Sequence, residues 1–365
     1  MAAGRPGSNG GPGGVKIAHV RERNAPAGTP FRLAAALDAG EDPRHWLDLE
    51  VARRRLVAVE PGRAHSSSLF RNSLTTLDDH LARGLRVAAL GELLDAAGSG
   101  SIAADPADPD DDAVLAVADL LFGPPILRPP SFRDFYAFER HVATIWGRRG
   151  ADVPEAWYRL PIFYFSNTSE IRGPGDEVWA PRGSAELDFE LELGALVDTG
   201  ARDLEPDTAE DVIGGYTIVN DWSARDLQRD ETTIRLGPAK GKDFATSIGP
   251  WLVTPDELVS ARGPGARMPD LGMTSSVHTA DGREVPVSDG SAASAHFSFG
   301  DMVARASADV RLRPGDLIGS GTVGTGCLLE VRDETLGRYL EPGDEVIVRI
   351  ERLGELRSPV VARPT

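Results

Sequence analysis

Ala185-Glu186-Leu187-Asp188-Phe189-Glu190-Leu191-Glu192-Leu193 alternates apolar and acidic residues without a break after Glu186. A period of two is the signature of a strand with one buried face, here Leu187, Phe189, Leu191 and Leu193. The other face carries three carboxylates, with neighbours about 7 Å apart. Like charges that close repel unless something positive lies between them. Two readings stand side by side. The acids lie in solvent and discourage edge pairing, or they form part of a site for a hard divalent cation, which takes oxygen ligands.

The rest of the chain bounds these readings. Its 365 residues suit one large or two medium domains of a globular protein. No run approaches the roughly 18 apolar residues that span a membrane. Met1 to Gly14 is Gly-rich and has no apolar core, so it reads as a disordered tail rather than a targeting peptide. A single cysteine, Cys327, excludes an internal disulfide framework and a cysteine-based metal cluster; a cytoplasmic protein is expected. The net charge of −17 repels nucleic acid and anionic membranes, and Arg53-Arg54-Arg55 is too short to offset it. An anionic substrate would need local cations or a metal.

Val15 to Val20 reads as the first strand, and apolar clusters follow at Phe31–Leu37 and Leu56–Val59. Ser73 to Ala97 reads as a helix interrupted near Gly84, and Asp112 to Leu121 as a short helix. Between them Asp105 to Asp112 looks like a surface loop. Pro124-Pro125 and Pro129-Pro130 favour extended chain and set a boundary. This gives an N-terminal domain over 15–125, with a scaffolding or dimer-support role, and a second domain over 126–365. Ser131 to Arg149 reads as a helix opened by a Ser131/Asp134 capping pair. Gly215 to Asn220 is a strand running into Asp221-Trp222-Ser223-Ala224-Arg225-Asp226-Leu227-Gln228. There Asp221 is placed to cap a short helix with Arg225 and Gln228 on its face. Residues 251–350 are strand-rich, with turns at Asp281-Gly282, Pro314-Gly315-Asp316 and Pro342-Gly343-Asp344. The expected class is β-rich α+β.

Two phosphate-loop lookalikes fail on chemistry. Gly237-Pro238-Ala239-Lys240-Gly241-Lys242-Asp243 is one residue short between its glycines, and Asp243 stands where a hydroxyl should hold Mg²⁺. Gly319-Ser320-Gly321-Thr322-Val323-Gly324 fits G-x-G-x-x-G, but the strand-like Cys327-Leu328-Leu329-Glu330-Val331 follows near the chain end, with no βαβ unit after it.

Five segments together resemble the fumarylacetoacetate hydrolase family. They are Asp134-Phe135-Tyr136 with His141, Leu187 to Glu192, Asn220 to Gln228, Gly241-Lys242-Asp243-Phe244, and Arg313-Pro314-Gly315-Asp316-Leu317 with Ser320-Gly321-Thr322. Order and approximate spacing agree from about Arg128 to the end. The resemblance implies a mixed β-sheet roll behind a smaller N-terminal domain, and a homodimer. It implies Mg²⁺, with Ca²⁺ or Mn²⁺ as alternatives, on Asp134, Glu190, Glu192 and Asp221. Asp188 is left beside the ligands or in solvent. His141 and Glu330 would form a water-activating pair, and Arg225, Gln228 and Lys242 would hold the substrate and its developing oxyanion. Tyr136, Tyr164 and Thr322 would line the pocket, with Thr246 near the metal. The chain departs from the family after Gln228, where Arg229 to Arg235 is one residue longer and Thr232 or Thr233 replaces a substrate-contacting tyrosine. At Phe165-Ser166-Asn167 many smaller members carry a lysine.

The implied activity is metal-dependent hydrolysis of a C–C bond in a small anionic β-diketone acid, acylpyruvate or fumarylacetoacetate-like. A decarboxylase, isomerase or hydratase of 2-keto acids would use the same site without water attack. A ligand-binding dimer without catalysis is the third reading, and the presence of every ligand and of both His141 and Glu330 counts against it.

Overall fold

Leu187, Phe189, Leu191 and Leu193 all enter one apolar core, as their alternation predicts. The structure, a computed structural model, describes residues 14–38, 40–102, 112–263 and 266–364. The N-terminal tail before Gly14 and most of the 105–112 loop lie outside the described residues. The acidic stretch is not one strand. Leu187–Asp188 and Leu191–Val197 are separate strands. Between them the Asp188 side chain accepts from Phe189 N at 2.7 Å and Asn220 Oδ1 from Glu190 N at 3.1 Å. Side-chain acceptors thus take the place of ladder bonds at Phe189 and Glu190, which belong to neither strand.

Among the described residues, twelve strands make one mixed sheet. Its middle runs Lys16–Glu22, Thr246–Val253, Ile213–Asp221, Leu191–Val197, Leu317–Gly319, Phe132–Phe135 and Phe163–Ser166. Leu317–Gly319 and Phe132–Phe135 pair in parallel, while the other neighbours in this run are antiparallel. A four-stranded antiparallel sheet, with Gly272–His278 and Glu345–Ile350 at its centre, completes a β-rich fold.

Each face of the large sheet is covered. Leu193, Ile218 and Val253 pack with Met273, Val346 and Leu356 of the smaller sheet and with Phe299 and Val303 of the Phe299–Ser307 helix. Leu196, Val219 and Leu317 face the other way, onto Leu49, Leu56, Leu77 and Leu93 of the N-terminal helices. Residues 15–125 therefore contribute both strands to the sheet, through pairing of Lys16–Glu22 with Thr246–Val253, and a helical layer over it. Asp48 starts that layer by capping the Leu49–Val59 helix at Glu50 N and Val51 N. None of the described helices is long and apolar enough to cross a membrane.

Tertiary pairing overrides local propensity at several places. Phe132–Phe135 is a strand, and the helix that follows spans only Glu139–Arg148. Ser131 caps nothing there; its hydroxyl donates to Asp316 at 2.8 Å. Asp112 to Leu121 contains no α-helix: Val114–Ala116 and Leu120–Gly123 are strands paired with His45–Asp48 and Lys16–Glu22. Ser73 to Ala97 contains helices Leu77–Ala82 and Gly91–Gly98, separated by more than the break at Gly84. Asp221 is the last residue of its strand, and the helix Arg225–Thr233 begins after Ala224, so Asp221 shares no helix face with Arg225. Leu328–Val331 is a helical turn rather than a strand.

Candidate active site

Three strands of the large sheet and the link before one of them deliver four carboxylates to one point. Asp134 comes from Phe132–Phe135, Glu192 from Leu191–Val197, Asp221 from the end of Ile213–Asp221, and Glu190 from the link between Leu187–Asp188 and Leu191–Val197. One carboxylate oxygen from each lies within 4.8 Å of the others. Gly319 sits opposite Asp134 in the parallel ladder, where a Cβ would collide with Asp134 Oδ1 and Glu192 Oε2. Only glycine leaves these acids room to converge. All four are buried, Glu192 and Asp221 completely, so the solvated-strand reading does not hold.

Positive charge reaches only part of this cluster. Lys242 Nζ lies 2.8 Å from Glu190 Oε2 and 2.7 Å from Asp221 Oδ2. Arg225 Nη1 lies 2.8 Å from Glu190 Oε1, and its Nε 2.7 Å from Asp188 Oδ2. Counting Asp188, five buried carboxylates face two buried cations. Burial pushes Glu190 up, but Lys242 and then Arg225 outweigh it and hold the group at about 2. The others move the opposite way. Burial and the nearby Asp221 charge raise Asp134 to about 8. Burial and Asp134 push Glu192 well above the carboxylate range, and burial raises Asp221. Asp134 Oδ1, Asp221 Oδ1 and both Glu192 oxygens lack any hydrogen-bond partner in the structure. Buried oxygens with surplus negative charge and no donor fit a hard divalent cation.

A second group flanks them. His141 lies in the first turn of Glu139–Arg148, and its Nδ1 is 2.6 Å from Glu330 Oε1. Thr325 N donates to Glu330 Oε2 at 3.1 Å, and the Cys327 thiol to Oε1 at 3.6 Å. Burial pushes that thiol well up, so it stays a donor rather than a thiolate. Burial also pushes Glu330 up, but the His141 bond outweighs it and keeps the carboxylate below its ordinary value. Thr325 has φ 75°, a strained conformation for a β-branched residue, in the loop that aims its N–H at Glu330. With Nδ1 engaged, Nε2 is the imidazole nitrogen left for the cleft that His141 lines.

That cleft has a volume of about 900 Å³ and is lined by Asp134, Glu190, Tyr136, Tyr164, Thr322 and the cationic residues. Tyr164 does more than line it: its hydroxyl is 2.9 Å from Asp134 Oδ2 and also bonds Asp221 Oδ2. Tyr136 packs edge-on against His141. Thr322 donates to Leu191 O at 3.2 Å, and Gln228 Oε1 accepts from Arg225 at 2.9 Å. Thr246 pairs with Asp221 in the sheet register, outside the cleft lining.

Sequence reasoning left Asp188 without a role. It is fully buried and accepts from Arg225 and from Leu328 N and Leu329 N, both at 2.8 Å. It therefore ties the Arg225 helix to the turn that carries Glu330. Its signal was present as the third acid of the opening alternation. Arg149, Ile145, Ile162 and Leu236 also line the cleft, with no motif to mark them.

Arg225 holds Asp188 through Nε and both Glu190 and Gln228 through Nη1, and its buried Nη2 has no partner. A lysine ammonium cannot reproduce this fork. Arg225→Lys is expected to lower kcat/KM at least about tenfold, roughly 1.4 kcal/mol. Steady-state kinetics with saturating Mg²⁺ checks this, and wild-type values would remove Arg225 from the site.

A family model described as fumarylacetoacetate (FAA) hydrolase C-terminal matches residues 131–361. Over 268 residues the chain is 32% identical to the fumarylacetoacetase of Arabidopsis thaliana, covering 59% of this chain and 63% of that protein. It is 32% identical over 203 residues to a 2,4-didehydro-3-deoxy-L-rhamnonate hydrolase of a Sphingomonas species, covering 55% and 65%. The matches thus span somewhat under two thirds of these relatives' lengths. The fumarylacetoacetate hydrolase structure from Exiguobacterium antarcticum superposes with a TM-score of 0.64 at 22% identity, over 96% of this chain and all of that one. A probable 2-hydroxyhepta-2,4-diene-1,7-dioate isomerase from Mycobacterium abscessus does so at 0.60 and 20% identity, with the same coverage.

Proposed function

The chain belongs to the fumarylacetoacetate hydrolase family, and from that premise we propose that it is a divalent-metal-dependent hydrolase of a C–C bond in a β-diketone acid. The observation that supports this reading most strongly is the meeting of four buried, under-neutralised carboxylates and a His141–Glu330 pair on one cleft. Asp134, Glu190, Glu192 and Asp221 would hold Mg²⁺, or Ca²⁺ or Mn²⁺ in its place. When bound, such a cation neutralises the acids and polarises the oxygens of a dicarbonyl compound.

The protein's own groups do the rest. His141 Nε2 takes a proton from water, and the hydroxide so formed attacks the carbonyl. Glu330 fixes the imidazole tautomer and stabilises the imidazolium. Lys242, Gln228 and Arg225 supply donors for the tetrahedral oxyanion. Collapse breaks the C–C bond to give a carboxylic acid and an enolate, which is then protonated. The homodimer implied by the family resemblance belongs to this reading, as do the cytoplasmic location expected from the sequence composition and a scaffolding role for residues 15–125.

Product analysis tests it. With Mg²⁺, an acylpyruvate should yield one carboxylic acid and one pyruvate, and chelator should stop the reaction. Loss of CO₂ or an isomerised product would support instead the decarboxylase, isomerase or hydratase reading. Thr232 and Thr233 on the cleft wall, where a tyrosine is expected, keep that second reading in view.

A further inference from the structure

Two helices contribute to the cleft wall, and both pass from buried residues at their start to exposed residues at their end. On Glu139–Arg148, His141 is buried in the first turn, Ile145 and Trp146 are half-buried, and Arg148 is exposed. On Arg225–Thr233, Arg225 is buried, Gln228 half-buried and Thr233 exposed. At 1.5 Å per residue, the distance from His141 to Arg149 is about 12 Å. Acid–base and oxyanion chemistry thus occupies the first turns only. Beyond it the lining turns apolar: Ile145, Trp146, Phe163 and, at the rim, Ile162 and Leu236. Ile162 and Leu236 are 53% and 92% exposed at that rim.

The outer cations are mostly engaged. Arg148 donates to the Glu330 carbonyl at 2.7 Å, and Arg229 grips Glu186 through two bonds of 3.0 Å. Arg149 lies over the Trp146 ring at 5.6 Å. A cleft of about 900 Å³ is also near the top of the usual range for small-molecule sites, far larger than a short keto acid fills.

We propose that the outer half of the cleft is an apolar arm for the substrate's acyl group, so that the substrate is a keto acid with a medium-chain or aromatic tail. This rests on the keto-acid reading of the inner site. The head would lie among the carboxylates and cations, and the tail would lie along Ile145 and Trp146 and cover Ile162 and Leu236.

Binding separates this claim from the catalytic one. Simple 2-keto acids lack the second carbonyl that C–C hydrolysis requires, so their affinity can be measured without turnover. Titration calorimetry on the full chain with Mg²⁺ would compare pyruvate, 2-oxooctanoate and 2-oxoadipate. A fully buried methylene is worth about fourfold in affinity. With part of the tail at the rim, 2-oxooctanoate is expected to bind at least about tenfold tighter than either of the others. Ile162→Asp and Leu236→Asp should each reduce that preference at least about threefold. Length-independent affinity, or tightest binding of the dicarboxylate with Arg149 as its anchor, would overturn the arm. Failure to hydrolyse any acylpyruvate, with the tail preference intact, would overturn the hydrolase reading alone.

Discussion

Glu192→Gln is expected to abolish divalent-cation binding and activity together, while leaving the metal-free protein at least as stable as the parent. The structure makes this pair of outcomes unusual. Both Glu192 oxygens are fully buried without a donor, beside Asp134 and close enough to share a proton with it. Such a group destabilises the metal-free fold, because it must either carry an unsolvated, unpaired charge or take up a proton to avoid one. The amide stays neutral without that proton at almost constant volume, and it removes an anionic ligand. Glu190 is the contrast. It is held between Arg225 and Lys242, so Glu190→Ala strips a partner from two buried cations. Breaking a buried pair in this way costs about 3–5 kcal/mol. Denaturant unfolding should show that loss for Glu190→Ala and none for Glu192→Gln, while both fail to bind Mg²⁺ by calorimetry. Unchanged Mg²⁺ affinity in Glu192→Gln would place the cation elsewhere.

His141→Ala and Glu330→Gln are each expected to lower kcat on a diketo acid by about two to four orders of magnitude, the range for a lost general base. Mg²⁺ binding should persist in both, since neither residue lies in the four-carboxylate group. The double variant should be little worse than either single one, because the two act as a unit across their 2.6 Å bond. A decarboxylase needs no attacking hydroxide and would keep much of its rate without His141. Near wild-type hydrolysis by both single variants would end the water-activating assignment.

Much of this site was legible because its chemistry is compact in sequence. Glu190 and Glu192 are two residues apart, and Asp221, Arg225 and Gln228 lie within one motif. The alternation correctly put Leu187, Phe189, Leu191 and Leu193 on one core face. It could not show that the acids opposite are buried too, because Arg225, Lys242, Gly319 and Leu328, which surround them, are distant in sequence. The same distance hid the strand character of Phe132–Phe135. Its Ser131/Asp134 spacing mimics a helix start, and pairing with Phe163–Ser166 and with Leu317–Gly319, nearly two hundred residues later, overrides it. Glu330 was paired with His141 by motif, but the helical turn that presents it depends on Asp188 accepting from Leu328 N and Leu329 N. No local pattern encodes that contact. The outer cleft was illegible for a related reason: Ile145, Ile162 and Leu236 look like ordinary apolar residues until the walls are assembled.

Proton linkage gives the central claim a further consequence. Asp134 is raised to about 8, so its stabilising contribution is full below the ordinary carboxylate pKa and is lost as pH rises through about 8. Glu190, held at about 2, contributes above the ordinary carboxylate pKa and loses that contribution as pH falls through about 2. The metal-free protein should therefore lose stability between pH 6 and 8 at up to about 1.4 kcal/mol per pH unit for each proton involved. A bound cation should flatten this loss by displacing the protons. Mg²⁺ titration calorimetry at pH 7, in two buffers of different ionisation enthalpy, measures binding and proton release together. The predicted result is one cation per chain with release of about one proton or more, and none of either in Glu192→Gln. Absence of binding, or binding without proton release that survives Glu192→Gln, would contradict a cation site built from Asp134, Glu190, Glu192 and Asp221.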